Sequence, residues 1–361
     1  MTIAKCFAGV CLAASALWAC STTFSRKTDL AQSPPWEAAN PKAPLPRPPL
    51  GIDLSFSSLA EPPTPERVRL GRWLYYDRRL SANGEISCAT CHRPENGFSE
   101  PTPVATGIGR QKGTHKTPSL LNQAWTLYPH FFWDGRASSL EEQVLGPIAN
   151  PIEMGNTHQA MIATLLEIPG YTRYFKESFG SDGITKDRVA KAIADYERTR
   201  MSGGSPWDKW KRKKDDGAVS DAVKKGDDLF FGKAECNQCH VGQNFTDSLF
   251  HNLGIGWDAE TKTFKDEGRT GVSKMPEDIG AFKTPGLRDV AKRAPYMHDG
   301  SLATLRDVVR HCNKGGIQNP YLSPKLKMLK LTEAEEAALV KFMEALSGEG
   351  YMDTAPAAYP Q

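Results

Sequence analysis

Two short stretches carry the residues best suited to chemistry: Cys88-Ala-Thr-Cys91-His92 and Cys236-Asn-Gln-Cys239-His240. Two cysteines three positions apart bring both thiols onto one turn, and the histidine that follows adds an imidazole beside them. This is the attachment pattern of a c-type haem: the thiols take the porphyrin vinyl groups and the imidazole ligates the iron. A lone Cys-x-x-Cys also serves redox dithiols and zinc. A second copy makes chance or zinc a poor explanation, because zinc would gather four thiolates in one site and would not need a histidine right after each pair. The chain is therefore expected to hold two covalent haem c groups. Cys88, Cys91, Cys236 and Cys239 attach them, with His92 and His240 as axial ligands.

The other cysteines bear on the compartment. Of the eight, Cys6 and Cys11 lie in an apolar run of about 14 residues behind Lys5, and Cys20 closes it. The run is too short for an ordinary membrane span and reads as a signal peptide over 1–19. Leu17-Trp18-Ala19-Cys20 resembles a bacterial lipobox that would lipidate Cys20, although the bulk of Trp18 leaves ordinary cleavage or an uncleaved anchor open. Covalent haem on an exported chain points to the bacterial periplasm, free or tethered to the outer membrane through Cys20. Cys312 is left alone, so no structural disulfide is expected. A net charge of +3 lacks the clustered basic face of a nucleic-acid binder. The one dense basic stretch, 207–216, carries its own acids and reads as a solvated helix or loop face in preference to a docking patch.

The elements that must position these groups are mainly helical. Residues 20–62 are rich in Pro, Ala and Ser without apolar periodicity, and read as a linker or extended arm. A first helix begins at Pro65, where Val68, Leu70, Trp73 and Leu74 recur at near-helical spacing; 220–232 does the same before the second motif. Gly71-x-x-Leu74-Tyr75-Tyr76 and Gly226-x-x-Leu229-Phe230-Phe231 form a degenerate internal repeat. Further helices are expected over 158–168 and 185–200, and from a capping box at Thr332 and Glu335. Strand alternation is scarce. The expected architecture is two cytochrome-c-like haem domains, 63–203 and 204–350, with long loops, a boundary near 201–207 and a tail over 351–361.

The stretches LGRWLYYDRRLSANGEISCATCH, TPSLLNQAW, FFWDGRASSLEEQVLGPIANPIEMGN and KTPGLRDVAKRAPYMHDGSLATLRDVV resemble the bacterial dihaem cytochrome c peroxidase and MauG superfamily over about residues 66–350. The resemblance implies that the N-terminal haem, on His92, is peroxidatic and that the C-terminal haem, on His240, transfers electrons. It implies Glu153 as acid–base at the open iron, Gln143 as distal-pocket amide and Trp133 as the tryptophan between the haems. The chemistry agrees, since cleaving an iron-bound peroxide requires a proton to move from the inner to the outer oxygen, and a partly desolvated carboxyl can move it. A helix cap for Glu153, core packing for Trp133 and a backbone bond for Gln143 are the plainer alternatives.

The departures from the family pattern carry as much meaning. The histidine that blocks the iron in activatable peroxidases follows an Ile-Gly pair; here Arg110 follows Ile108-Gly109, and His115 lies too far along. An iron open to peroxide without prior activation is therefore expected. Counting fourteen residues from His298, where the family supplies a methionine or tyrosine ligand to the second haem, reaches Cys312. A thioether favours Fe(II) and a high potential, whereas an anionic thiolate stabilises higher oxidation states. Cys312 is thus the expected ligand, with His311 or Met297 as rivals if Cys312 is merely a small buried residue. Lys116 replaces the family's calcium-contacting asparagine, and an ammonium cannot ligate calcium; calcium is disfavoured, although carbonyls near Arg293 and Pro295 stay available. His130, His158, His251 and His298 read as structural, with His251 and His298 as candidates for bonding haem propionates.

By this resemblance the chain reduces hydrogen peroxide and, in a MauG-like manner, uses high-valent iron to oxidise side chains, typically tryptophan, of a partner protein. Ala234 stands where MauG has its surface hopping tryptophan, so any route would differ, through Trp207 or Trp210. One alternative is a cytochrome c peroxidase fed by a small cytochrome c or a cupredoxin. Another is a dihaem electron-transfer protein without catalysis.

Overall fold

The computed structural model describes residues 33–125 and 128–361. The signal peptide and Cys20 lie outside the described residues. The helix Pro65–Tyr76 starts where Thr64 accepts the Arg67 N–H and Pro65 needs no donor. It lies across Lys186–Arg198, and Gly71 marks the crossing: a Cβ there would sit 1.8 Å from the Ala192 carbonyl oxygen. The second copy repeats the device. Asp221–Phe231 crosses Glu333–Glu344, and a Cβ on Gly226 would sit 2.1 Å from the Ala338 carbonyl oxygen. The repeat glycines thus mark points of close helix approach, where a methyl group has no room.

Each helix pair has its own core. Leu70, Trp73, Leu74 and Tyr75 pack with Val189, Ile193 and Tyr196 in one; Leu229, Phe230, Leu339 and Phe342 pack with Phe245 in the other. The remaining longer helices are Leu140–Ala149, His158–Leu166, Pro169–Phe179, Pro206–Lys213 and Leu305–Asn313. The expected capping box is present, Thr332 and Glu335 each satisfying the other's N–H. Among the described residues, strand is confined to two antiparallel pairs, Phe250–Asn252 with Ala281–Lys283 and Trp257–Asp258 with Thr263–Phe264. The molecule is mainly α, and no helix among the described residues is long and apolar enough to cross a membrane.

Both ends of the described chain dock on the first core. In the arm, Trp36 donates to the Tyr174 hydroxyl at 2.9 Å, and Ile52 and Phe56 are buried with Ala124 and Met201. After residue 350, Tyr351 is fully buried, Arg72 holds Asp353 at 2.8 Å, and Gly170 N–H bonds the Gln361 carbonyl at 2.9 Å. These segments lack periodicity because isolated anchors, not a continuous face, hold them. Residues 35–361 form one unit.

Candidate functional site

At the first motif, Cys88–Cys91 forms one helical turn, and the His92 N–H closes it on the Cys88 carbonyl at 2.9 Å. The chain then turns through Gly97 and Phe98, both at positive φ, which returns the Phe98 carbonyl to 3.1 Å from His92 Nδ1. A carbonyl only accepts, so Nδ1 carries the proton and Nε2 keeps its lone pair for a metal. Tyr75 donates to the His92 carbonyl at 2.6 Å, fixing the residue from its other end. Burial holds the imidazole far below its ordinary value, at about 4, against the opposing carbonyl bonds. It is a neutral ligand.

The second motif repeats this geometry. His240 N–H bonds the Cys236 carbonyl at 3.0 Å, and His240 Nδ1 lies 2.8 Å from the carbonyl of Phe245, again at positive φ. Burial lowers this imidazole too. Cys88, Cys91, Cys236, Cys239 and Cys312 form no disulfide.

Both histidines line one cavity of about 450 Å³, together with Cys236, Cys239, Gln143, Trp133 and Cys312. Gln143 projects from Leu140–Ala149, which Ser139 caps. Trp133 is held on both sides: its indole N–H bonds the Lys116 carbonyl at 2.7 Å and its own carbonyl accepts from Lys283 at 2.8 Å. Glu153 stands outside that lining, in the turn after the helix, half-buried, with Oε1 accepting from the Asn150 amide at 2.9 Å. Burial raises its carboxyl, while Arg136, the Asn150 bond and His115 oppose the rise. The loop at 107–110 presses on it: the Ile108 N–H bonds the Glu153 carbonyl at 2.8 Å, and a Cβ on Gly107 would meet the Ile152 oxygen at 2.0 Å. Arg110 in that loop is exposed, and His115 Nε2 is engaged with Asp266 at 2.6 Å.

Around the second motif, Cys312 lies on Leu305–Asn313 with its thiol raised to about 11 by burial and by the neighbouring Cys239 sulfur. Met297 also lines the cavity, whereas the His311 Nε2 is spent on the Leu253 carbonyl at 3.0 Å. His298 stacks on Phe282 with ring centroids 3.4 Å apart. His251 holds Asp247 at 2.8 Å and lies near Cys239, a trio whose sulfur would be consumed by haem attachment. Lys116 is buried at 3 % exposure, its ammonium on the Glu100 carbonyl, and burial lowers it to about 8.

The residues present fit two haems. Each neutral imidazole has its Nδ1 tied to a backbone carbonyl beside a thiol pair, and the cavity wall carries buried polar atoms without partners: Arg293 Nε, Ser248 Oγ, Asn244 Oδ1 and Glu197 Oε2. Arg293 Nε suits a porphyrin propionate. Sequence reasoning missed these four as site residues, because no spacing rule links positions so far apart in the chain.

Comparison with known proteins agrees with this arrangement. Residues 65–216 match the family described as di-haem cytochrome c peroxidase. The methylamine utilization protein MauG of Methylorubrum extorquens is 42% identical over 301 residues, covering 82% of this chain and 82% of that protein. The cytochrome c551 peroxidase of Nitrosomonas europaea is 35% identical over 288 residues, covering 80% of this chain and 82% of that one. A crystal structure of a MauG-like protein associated with microbial copper homeostasis superposes with a TM-score of 0.76 at 29% identity, covering 87% of this chain and 97% of that one.

Proposed function

Because the chain belongs to the dihaem cytochrome c peroxidase and MauG family, peroxide-dependent oxidoreductases with two c-type haems, we propose that it reduces hydrogen peroxide at the N-terminal site and draws the electrons, MauG-like, from side chains of a partner protein, tryptophan foremost. Cys88, Cys91 and His92 would hold one haem, and Cys236, Cys239 and His240 the other; bound iron supplies the open coordination position and the redox change. The protein supplies the rest. Phe98 and Phe245 carbonyls fix each imidazole as a neutral ligand. Glu153, its carboxyl raised by burial, moves the proton between the peroxide oxygens. Gln143 lines the pocket as the distal amide, and Trp133 is pinned for relay. The exposure of Arg110 and the Asp266 bond of His115 support an iron open at rest.

One observation carries the MauG-like reading: a thiol, Cys312, lines the cavity beside the second motif where peroxidases of the family have methionine. An anionic ligand there suits storage of oxidising equivalents over rapid uptake of electrons. Lys116, buried with its ammonium on the Glu100 carbonyl, takes the place of calcium. We read 63–203 and 204–350 as the two haem domains, and the chain as exported to the periplasm, free or tethered through Cys20.

The second reading, a peroxidase drawing on a small cytochrome c or cupredoxin, is favoured by the relative named as a cytochrome c551 peroxidase. Steady-state assay with reduced cytochrome c decides between them: sluggish turnover is expected, and rapid turnover would establish the peroxidase. If both irons are low-spin and inert to peroxide, the protein is a passive electron carrier.

A further inference from the structure

Glu197 has no part in the reactions described so far. It lies in the last turn of Lys186–Arg198, is 4 % exposed, and its Oε2 has no partner, yet it lines the same cavity as His92, Gln143 and Trp133. Its helix packs on Pro65–Tyr76, which carries Tyr75, and on Leu140–Ala149, which carries Gln143. The residues one turn back on the same face join the first core at Ile193 and the Phe131 and Leu140 cluster at Ala194. The carboxyl therefore stands in the wall of the N-terminal pocket.

The charged and titratable groups around it are Arg198 on its own helix, Glu141 on Leu140–Ala149, Tyr75 on Pro65–Tyr76, and Cys88. None neutralises it. Arg198 is committed to Glu141 at 2.7 Å and to Asp195 at 3.2 Å, and the Tyr75 hydroxyl to the His92 carbonyl. A buried carboxylate without a partner is strongly disfavoured, so the neutral acid is the form this site keeps. Burial pushes the group up to about 8, with Arg198 pulling against it and Glu141 adding to the rise.

Resting on the reading that peroxide is reduced at the N-terminal site, we propose that Glu197 is a second proton-holding residue of that pocket, a neutral carboxylic acid that delivers one proton to each reduction and regains one from solvent afterwards. Reducing hydrogen peroxide to two waters takes two electrons, from the partner protein or redox donor, and two protons beyond those the peroxide carries. Glu153 relocates a proton already on the substrate. The added protons must come from elsewhere, and Glu197 gives one, becoming for a time the carboxylate that its surroundings disfavour. That instability drives its reprotonation.

The test uses the haem-loaded full chain. In the infrared, the resting wild type shows a protonated-carboxyl C=O stretch at neutral pH that Glu197→Gln lacks. In turnover with hydrogen peroxide and reduced cytochrome c, where electrons and added protons are taken up together, the wild-type rate falls as pH rises through about 8. Glu197→Gln is slower by roughly tenfold below that pH and shows no such alkaline fall, while Glu197→Asp retains it. A glutamine variant with the wild-type carboxyl spectrum, or with the wild-type rate and pH profile, overturns the proposal. If that variant fails to fold, a wild-type alkaline fall without the carboxyl band does the same. A wild type inert to peroxide overturns the functional reading as well, and is distinguishable because the carboxyl band persists.

Discussion

At the N-terminal site the His92 ring is tied to the Phe98 carbonyl at 3.1 Å; at the C-terminal site the His240 ring is tied to the Phe245 carbonyl at 2.8 Å. Each tie runs through a phenylalanine at positive φ, and each motif is backed by two helices crossing at a glycine, Gly71 in one and Gly226 in the other. On the histidine side the two halves are near copies. Elsewhere in the shared cavity they differ. The first half contributes Gln143 and Glu197, with Glu153 outside the lining in the turn after the Gln143 helix, and the second contributes Cys312 and Met297. On the proposed function, one site is furnished to move protons and the other to supply a soft ligand. The two motifs thus share how the imidazole is held and differ in the residues around it.

Glu153→Gln should separate the two sites most sharply. The bimolecular reaction with peroxide falls by roughly 10²–10⁴-fold, while the optical spectrum of the C-terminal haem is unchanged; an unimpaired reaction in stopped flow removes Glu153 from the mechanism. Cys312→Met should act on the opposite site. A thioether raises the midpoint potential of the C-terminal haem and lifts steady-state turnover with reduced cytochrome c by on the order of tenfold. An unchanged potential in a redox titration would show that Cys312 is not a ligand.

The shared scaffold can be tested by symmetry. Gly71→Ala and Gly226→Ala each place a methyl against a backbone oxygen, and each should cost about 1–3 kcal/mol, read as a lowered denaturation midpoint. A difference of more than that range between them would break the equivalence of the crossings. The last effect concerns pH. Glu197 has a higher pKa folded, about 8, than its ordinary 4.5. Its contribution to stability is therefore fully present below about 4.5 and is lost as pH rises through 8. Thermal melts should show wild type losing stability over that window more steeply than Glu197→Gln, and parallel curves would place the folded pKa of Glu197 near its ordinary value.

Much was legible in the residues alone. The motif turns, the Thr332–Glu335 capping box, and the helices at 65–76, 186–198 and 221–231 all rest on interactions within a few positions of the chain. The repeat at Gly71 and Gly226 was visible as a pattern, but its reason was not, since Ala192 and Ala338 lie over a hundred residues away. The docking of residues 351–361 escaped notice because single anchors such as Tyr351 and Asp353 leave no periodic trace.

By itself, the sequence determined which atoms can bind haem, since Cys-x-x-Cys-His needs only one turn to bring its thiols and imidazole together. It also carries Lys116 and Cys312, the residues that the resemblance reads as departures from the family pattern. Tertiary structure alone decided that Gln143, Trp133, Glu197 and Cys312 share one cavity with both histidines, that His311 turns to the Leu253 carbonyl, and that Glu197 is buried without a partner. Burial and long-range approach set those outcomes, because desolvation depends on every element packed around a group and no local spacing encodes it.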